Sequence, residues 1–237
     1  MAPADQDPFE AMIAYTFTFD QTTSIEFEVD VDSDTSAKDP AEPVPDWLAL
    51  DRYRCADCTV PAGSRRTCPA AVSIKPAVEA FSNRLSHETV HVVVTGPRGR
   101  LEHTMASQGA VRSLLGLLMA LSSCPVMRKL RPMAQHHLPF GDEAHTMFRF
   151  VGMYLIAQYL RSTRGKGPPD WELKGLLRLF AQLHQVNKHL AERIRAASEA
   201  DATVNSLVFL DAFATSAEID VEDCLVDLES HFAAYLD

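Results

Sequence analysis

The sequence predicts an α+β fold, on three observations. Two stretches of β-forming residues fold back across short turns, a cysteine-rich segment lies between them, and from Ser107 onward apolar residues recur at helical spacing. In "IAYTFTFD-QTTS-IEFEVDV" apolar and polar residues alternate on both sides of a polar turn. Tyr15, Phe17 and Phe19 then share a face with Ile25, Phe27 and Val29, which predicts a first hairpin. "ETVHVVVTGPRGRLEHTM" predicts a second, because β-branched valines favour strands and Gly-Pro-Arg-Gly favours a turn.

Between the hairpins, "DSDTSAKDPAEPVPD" reads as a loop or disordered linker, and Pro76 should kink or restart the helical segment "AAVSIKPAVEAFSNRL". Ser107 is the expected cap of the next helix and Asp142 that of "EAHTMFRFVGMYLIAQYLRST", whose apolar residues run nearly all round, as in a central buried helix. A long amphipathic helix follows in "WELKGLLRLFAQLHQVNKHLAERIRAA", then two shorter ones near 202–213 and 217–235, the last capped by Ser216. The expected arrangement is a hairpin and cysteine-rich part over 1–106, with an acidic linker at 32–46, packed on a helical bundle over 107–237 as one integrated domain.

Composition restricts the function classes. No apolar stretch reaches the 18 residues or so that span a bilayer, and "MAPADQDPFEAM" has no signal-peptide pattern, so a cytoplasmic protein without a membrane partner is expected. Five cysteines in that compartment read as thiols or metal ligands. The net charge of −10 divides into −12 over residues 1–51, +12 over 52–195 and −10 over 196–237. Acidic ends folded onto a basic body account for this, and no nucleic-acid-binding motif accompanies the basic residues. A protein partner, or an anion or nucleic acid held by Arg65, Arg66, Arg128, Lys129 and Arg131, is the other use of such a surface.

"LSHETVHVVVTG" matches H-E-x-x-H at His87, Glu88 and His91, the zinc pattern of many metallopeptidases. That chemistry needs a helix. On a strand, positions i and i+4 lie roughly 13 Å apart, too far for one ion, and the valine run favours a strand. A zinc hydrolase is therefore the least favoured reading.

Cys55, Cys58, Cys68 and Cys124 make the stronger pattern. C-x2-C aims two thiolates at one centre, and Cys68 and Cys124 each precede a proline, which places each at a helix N-terminus where N–H groups and the dipole favour a thiolate. An iron–sulfur cluster is the first expectation, since Cys-Pro is familiar from ferredoxin loops and "CADCTV" lacks the glycine of many zinc knuckles. A structural zinc is the second, and a metal-free dithiol the third. Cys224 reads as a packing residue.

"RPMAQHHLPFGDEAHTMFR" gathers His136, His137, Glu143, His145 and Arg149 as a possible ligand pocket, with Asp142 and Glu143 also explicable as first-turn acids. His184 and His189 face different ways on their helix, and Asn187 and Asn205 read as buried polar groups. No residue is identifiable as catalytic.

The order of "CADC", "TCP", "SSCP", "LRPMAQHHLPF", "MYLIAQYL", "PDW", "QVNKHLAERIR" and "VNSLVFLDAF" resembles an uncharacterised family of bacterial cytoplasmic proteins, a domain of unknown function, over roughly residues 12–215. The resemblance implies that the four cysteines and His137, in its "HLPF" phrase, belong to the family pattern. No activity comes with it.

Overall fold

The computed structural model describes residues 11–20, 23–37, 39–40, 43–196 and 201–236. It is α+β, with a four-stranded antiparallel sheet toward the N-terminus and, among the described residues, seven α-helices. Strands β1 (Met12–Thr18) and β2 (Ser24–Asp30) form the first hairpin, with Ile13 opposite Val29, Tyr15 opposite Phe27 and Phe17 opposite Ile25. Strands β3 (Thr89–Gly96) and β4 (Gly99–Ala106) form the second, closed by a turn in which Gly99 has φ 109°. The hairpins are not separate units. β1 pairs antiparallel with β3, Tyr15 opposite Val94 and Phe17 opposite Val92, giving the order β2-β1-β3-β4. Pairing satisfies two inner edges at once and brings Tyr15, Phe17, Val90, Val92 and Val94 onto one buried face. β4 is left as a largely exposed edge, guarded by Arg100, Glu102 and His103.

Helix α1 (Pro69–Ala80) runs through Pro76 without restarting. Phe81 at its end closes the sheet face, its ring 5.0 Å from Phe17 and 6.0 Å from Phe27. Helix α2 (Ser107–Ala120) starts one residue earlier than a Ser107 cap requires. Ser107 is its first residue, and the hydroxyl donates to the Leu85 carbonyl at 2.6 Å instead. Helices α3 (Arg131–Gln135) and α4 (Glu143–Thr163) follow, and Asp142 caps α4 as expected, accepting from His145 N–H at 2.8 Å.

Helix α4 is not a central buried helix. Its first half buries Met147, Phe150 and Val151, with the Phe150 ring 5.1 Å from Phe180 and 5.6 Å from Phe213. Beyond Leu155 only Gln158 is buried, and Ile156 and Tyr159 are 63% and 61% exposed. All-round apolarity shows that a helix can be covered, but whether a neighbour reaches it depends on packing.

Helix α5 (Lys174–Arg195) packs along α6 (Asp201–Glu229), and the short α7 (Ala233–Leu236) ends the described chain. α6 is one helix where two were expected. The stretch around Ser216 contains no glycine or proline to stop it, and the Thr215 hydroxyl bonds back to the Asp211 carbonyl at 3.0 Å within the helix. The side chains of Ser216 and Cys224 lie outside the described residues, so the capping and packing roles expected of them do too.

The described part of the acidic 32–46 segment is docked. Thr35 Oγ1 donates to the Leu118 carbonyl at 2.9 Å, Ser36 is buried against Ser123, and Asp39 accepts from Thr67 and lies 3.4 Å from Arg65. Arg131 donates to the carbonyls of Val31, Asp32 and Ser33. Three of the five cations read as an anion surface, Arg65, Arg66 and Arg131, are thus engaged with this segment.

Arg193 on α5 is the largest fully buried side chain among the described residues. Its guanidinium donates to the carbonyls of Trp47 (2.8 Å), Ala49 (2.7 Å), Leu50 (3.3 Å) and Tyr53 (2.7 Å). One side chain thereby replaces the regular partners of a loop that has no helix or sheet of its own beyond a short 3-10 turn at Asp46–Leu48 and a single bridge from Ala49 to Thr67. Arg193→Met keeps the length and removes the donors, so urea unfolding should show a loss of about 3 kcal/mol or more, because buried carbonyls without donors cost about 1–3 kcal/mol each. A loss below about 1 kcal/mol would mean that water replaces the guanidinium.

Candidate functional site

Two places on the fold gather reactive side chains, and α5 runs between them. The first is a hollow of about 30 Å³ lined by Cys55, Cys58, Cys68 and Cys124, with Val60 and Val186 among its apolar walls. The volume suits a small inorganic guest and excludes an organic cofactor, whose pockets run to about 300–1,000 Å³. Arg193 holds the Tyr53 carbonyl two residues before Cys55, and a turn joins Cys55 to Cys58, whose N–H donates to the Cys55 carbonyl at 3.0 Å. Cys68 is held by its N–H on the Leu48 carbonyl at 2.8 Å and is the N-cap residue of α1, with Pro69 at the first helical position. Cys124, four residues past the end of α2, completes the lining.

All four expected thiols therefore face one hollow, drawn from three separate parts of the chain. They do not form a single-ion cage as they stand. Among the described residues, no three His, Cys, Asp or Glu side chains are placed to hold one metal ion together.

At Cys124 the electrostatics depart from the expectation that the thiolate is favoured. Burial pushes Cys55 up to about 12, reinforced by Cys68, Cys124 and Cys58, with Arg193 pulling the other way. Burial also raises Cys124, outweighing the backbone N–H groups of Met127 and Val126 that do point at it. Helix-terminal donors are present, but desolvation wins where the sulfur is buried. A cationic guest would reverse the balance, since a bound metal deprotonates its thiols.

The second place is a cavity of about 480 Å³ between α2, α5, α6 and the loop joining α3 to α4. Of the five residues read as a pocket, His137, Glu143 and Arg149 line it. His136 and His145 do not. His136 accepts Arg98 at the surface, and His145 pairs with Asp142 at 2.7 Å. The "HLPF" phrase forms one wall, and its Phe140 has φ 62°, a conformation bulky residues adopt at a cost of roughly 1 kcal/mol.

Behind the wall residues Ser113 and His137, Tyr15 Oη bonds Ser113 Oγ at 2.8 Å and His137 Nε2, linking the sheet to the cavity wall. Burial raises Tyr15 far above its ordinary value, so it stays a phenol. His137 is held down to about 3, first by burial and then by the Arg149 and Arg98 charges, so its ring is neutral at pH 7. Arg149 is fixed by the Met133 and His136 carbonyls at 2.9 and 2.8 Å. Sequence reasoning missed Tyr15 and Ser113, which lie 122 and 24 positions from His137 and meet it only through the fold. Arg193 was equally missed, although its position continues the apolar rhythm of Val186 and Leu190.

The H-E-x-x-H residues are not on a helix. His87 lies in a turn, and His91 lies on β3, where its ring meets Thr104 at 3.2 Å. His184 bonds Asp211 on α6 at 2.7 Å and His189 pairs with Glu192, so they face apart as expected.

A family described as a domain of unknown function (DUF6901) matches residues 13–233. The chain belongs to this family. No curated protein and no solved structure matches it. Family membership thus assigns no chemistry to either site. No helix among the described residues is long and apolar enough to cross a membrane.

The depressed His137 makes stability depend on pH. The unfolded chain takes up a proton near 6.5 and the folded chain only near 3, so stability is full above about pH 7 and falls as pH drops below 6.5. Wild type should lose about 1–2 kcal/mol more than His137→Gln between pH 7 and pH 5, measured by urea unfolding at each pH. Equal losses would mean that His137 titrates normally in the folded protein. In metal-free protein at pH 8, Cys55 should also react with iodoacetamide at least tenfold slower than N-acetylcysteine, as mass spectrometry of the digested protein would report.

Proposed function

We propose that Cys55, Cys58, Cys68 and Cys124 hold one inorganic centre, an iron–sulfur cluster, and that the protein has a redox or sensing role. The observation that carries this reading is the convergence of four thiols from separate segments on one hollow too small for an organic ligand. The Cys-Pro pairs at Cys68 and Cys124 and the glycine-free "CADCTV" favour a cluster over zinc. Arg193 supplies a buried positive charge beside Cys55, which offsets the negative charge of four thiolates. The centre would tie the loop at 55–68 to the chain after α2, so its loss would loosen that junction.

Anaerobic purification should give a brown protein whose visible absorbance bleaches with dithionite and which contains iron and acid-labile sulfide. Cys55→Ser and Cys124→Ser should each lose iron while the far-UV spectrum of the helices persists. A colourless protein carrying one equivalent of zinc would overturn the cluster reading and leave a structural zinc site in a partner-binding protein.

A further inference from the structure

Helix α2 carries a glycine in its interior, Gly116, at a position where a Cβ would meet nothing within 4 Å. A helix-interior glycine gives up about 1 kcal/mol relative to alanine, and here the missing side chain leaves open space in the 480 Å³ cavity. Across that cavity, Asn187 on α5 is 4% exposed, and its Oδ1 has no hydrogen-bond partner among the described residues. A buried amide oxygen in that condition costs about 1–3 kcal/mol, so this wall favours a donor such as a water bridging to a polar occupant.

The lining decides the class of occupant. The walls are mostly apolar, with Leu117, Met127, Leu183 and Phe213 among them, and the volume lies within the range of small-molecule sites. Charge is arranged by depth. The acids, Asp142 and Glu143, are exposed at the rim, where Asp142 is engaged by His145. The cations, Arg112 and Arg149, are half-buried, and burial lowers both from their ordinary value. Desolvated cations gain most from an anion that also excludes water. Ser113, at the end of the Tyr15 and His137 chain, adds a hydroxyl that can donate or accept.

We infer that this cavity binds an organic acid with an apolar body, its carboxylate directed to Arg112 and Arg149 and its hydrocarbon filling the space opposite Gly116. The inference is independent of the cysteine centre, because none of the four cysteines lines this cavity.

Sodium decanoate, kept below its micelle concentration, is the probe, titrated into the full chain by calorimetry. One decanoate per chain should bind, and the uncharged decan-1-ol should bind at least about tenfold more weakly. Gly116→Leu adds a Cβ that meets no atom within 4 Å, extends a side chain into the cavity and improves helix propensity, so its melting temperature should hold or rise while decanoate binding falls by at least about tenfold. Arg112→Gln should weaken decanoate by about fivefold or more and leave decan-1-ol unchanged, and this contrast serves even if Gly116→Leu misfolds. Absence of decanoate binding, equal binding of acid and alcohol, or full binding by folded Gly116→Leu would each overturn the proposal.

Discussion

A single buried cation organises the loop before the cysteines, which regular secondary structure leaves unattended. The segment from Trp47 to Tyr53 makes few backbone bonds of its own, and Arg193 supplies donors to four of its carbonyls from the interior. A guanidinium can do this because its donors are splayed in one plane and its charge is satisfied by several carbonyl dipoles together. Cys55 follows two residues after that clasp, and the thiol hollow lies against the same helix. The position of the proposed centre is therefore set by α5, although three of its thiols come from the loop and α1.

Helix α5 also separates the two sites. Val186 faces the thiol hollow and Asn187 the larger cavity, while Val126 and Met127 divide the same way on the chain after α2. The two spaces thus stand back to back across one helix and one short loop. Their chemistry is opposed. Thiols and a nearby cation surround a space of about 30 Å³ on one side, and on the other apolar walls with desolvated arginines surround about 480 Å³. The sheet reaches only the second, through the Tyr15 hydroxyl.

Strands were legible in the sequence because period-two alternation and β-branched runs leave little choice of backbone, and Tyr15 and Phe17 do share a face with Phe27 and Ile25, the register itself being set by the fold. The Asp142 cap was legible because capping is local. Less accessible were features in which one backbone option differs little from another. Ser107 resembled a cap and serves as a tether to Leu85, and the Thr215 and Ser216 stretch resembled a break and continues α6. Such choices depend on a partner elsewhere in the chain, which local pattern does not contain.

By itself the sequence determined the α+β class, the strand that carries His91 but not His87, and the spacing of four cysteines that the fold gathers at one hollow. Each of these follows from periodicity or spacing, which act over a few residues. Only the tertiary structure decided that the hairpins merge into one sheet, that α4 stands half uncovered, and that Arg193 clasps the cysteine loop. It also decided that Tyr15, Ser113 and His137 meet at a cavity wall. Those outcomes turn on which buried donors and acceptors find each other across more than twenty residues of chain, because an unpaired polar group in the interior costs as much as a large share of the net stability of a fold.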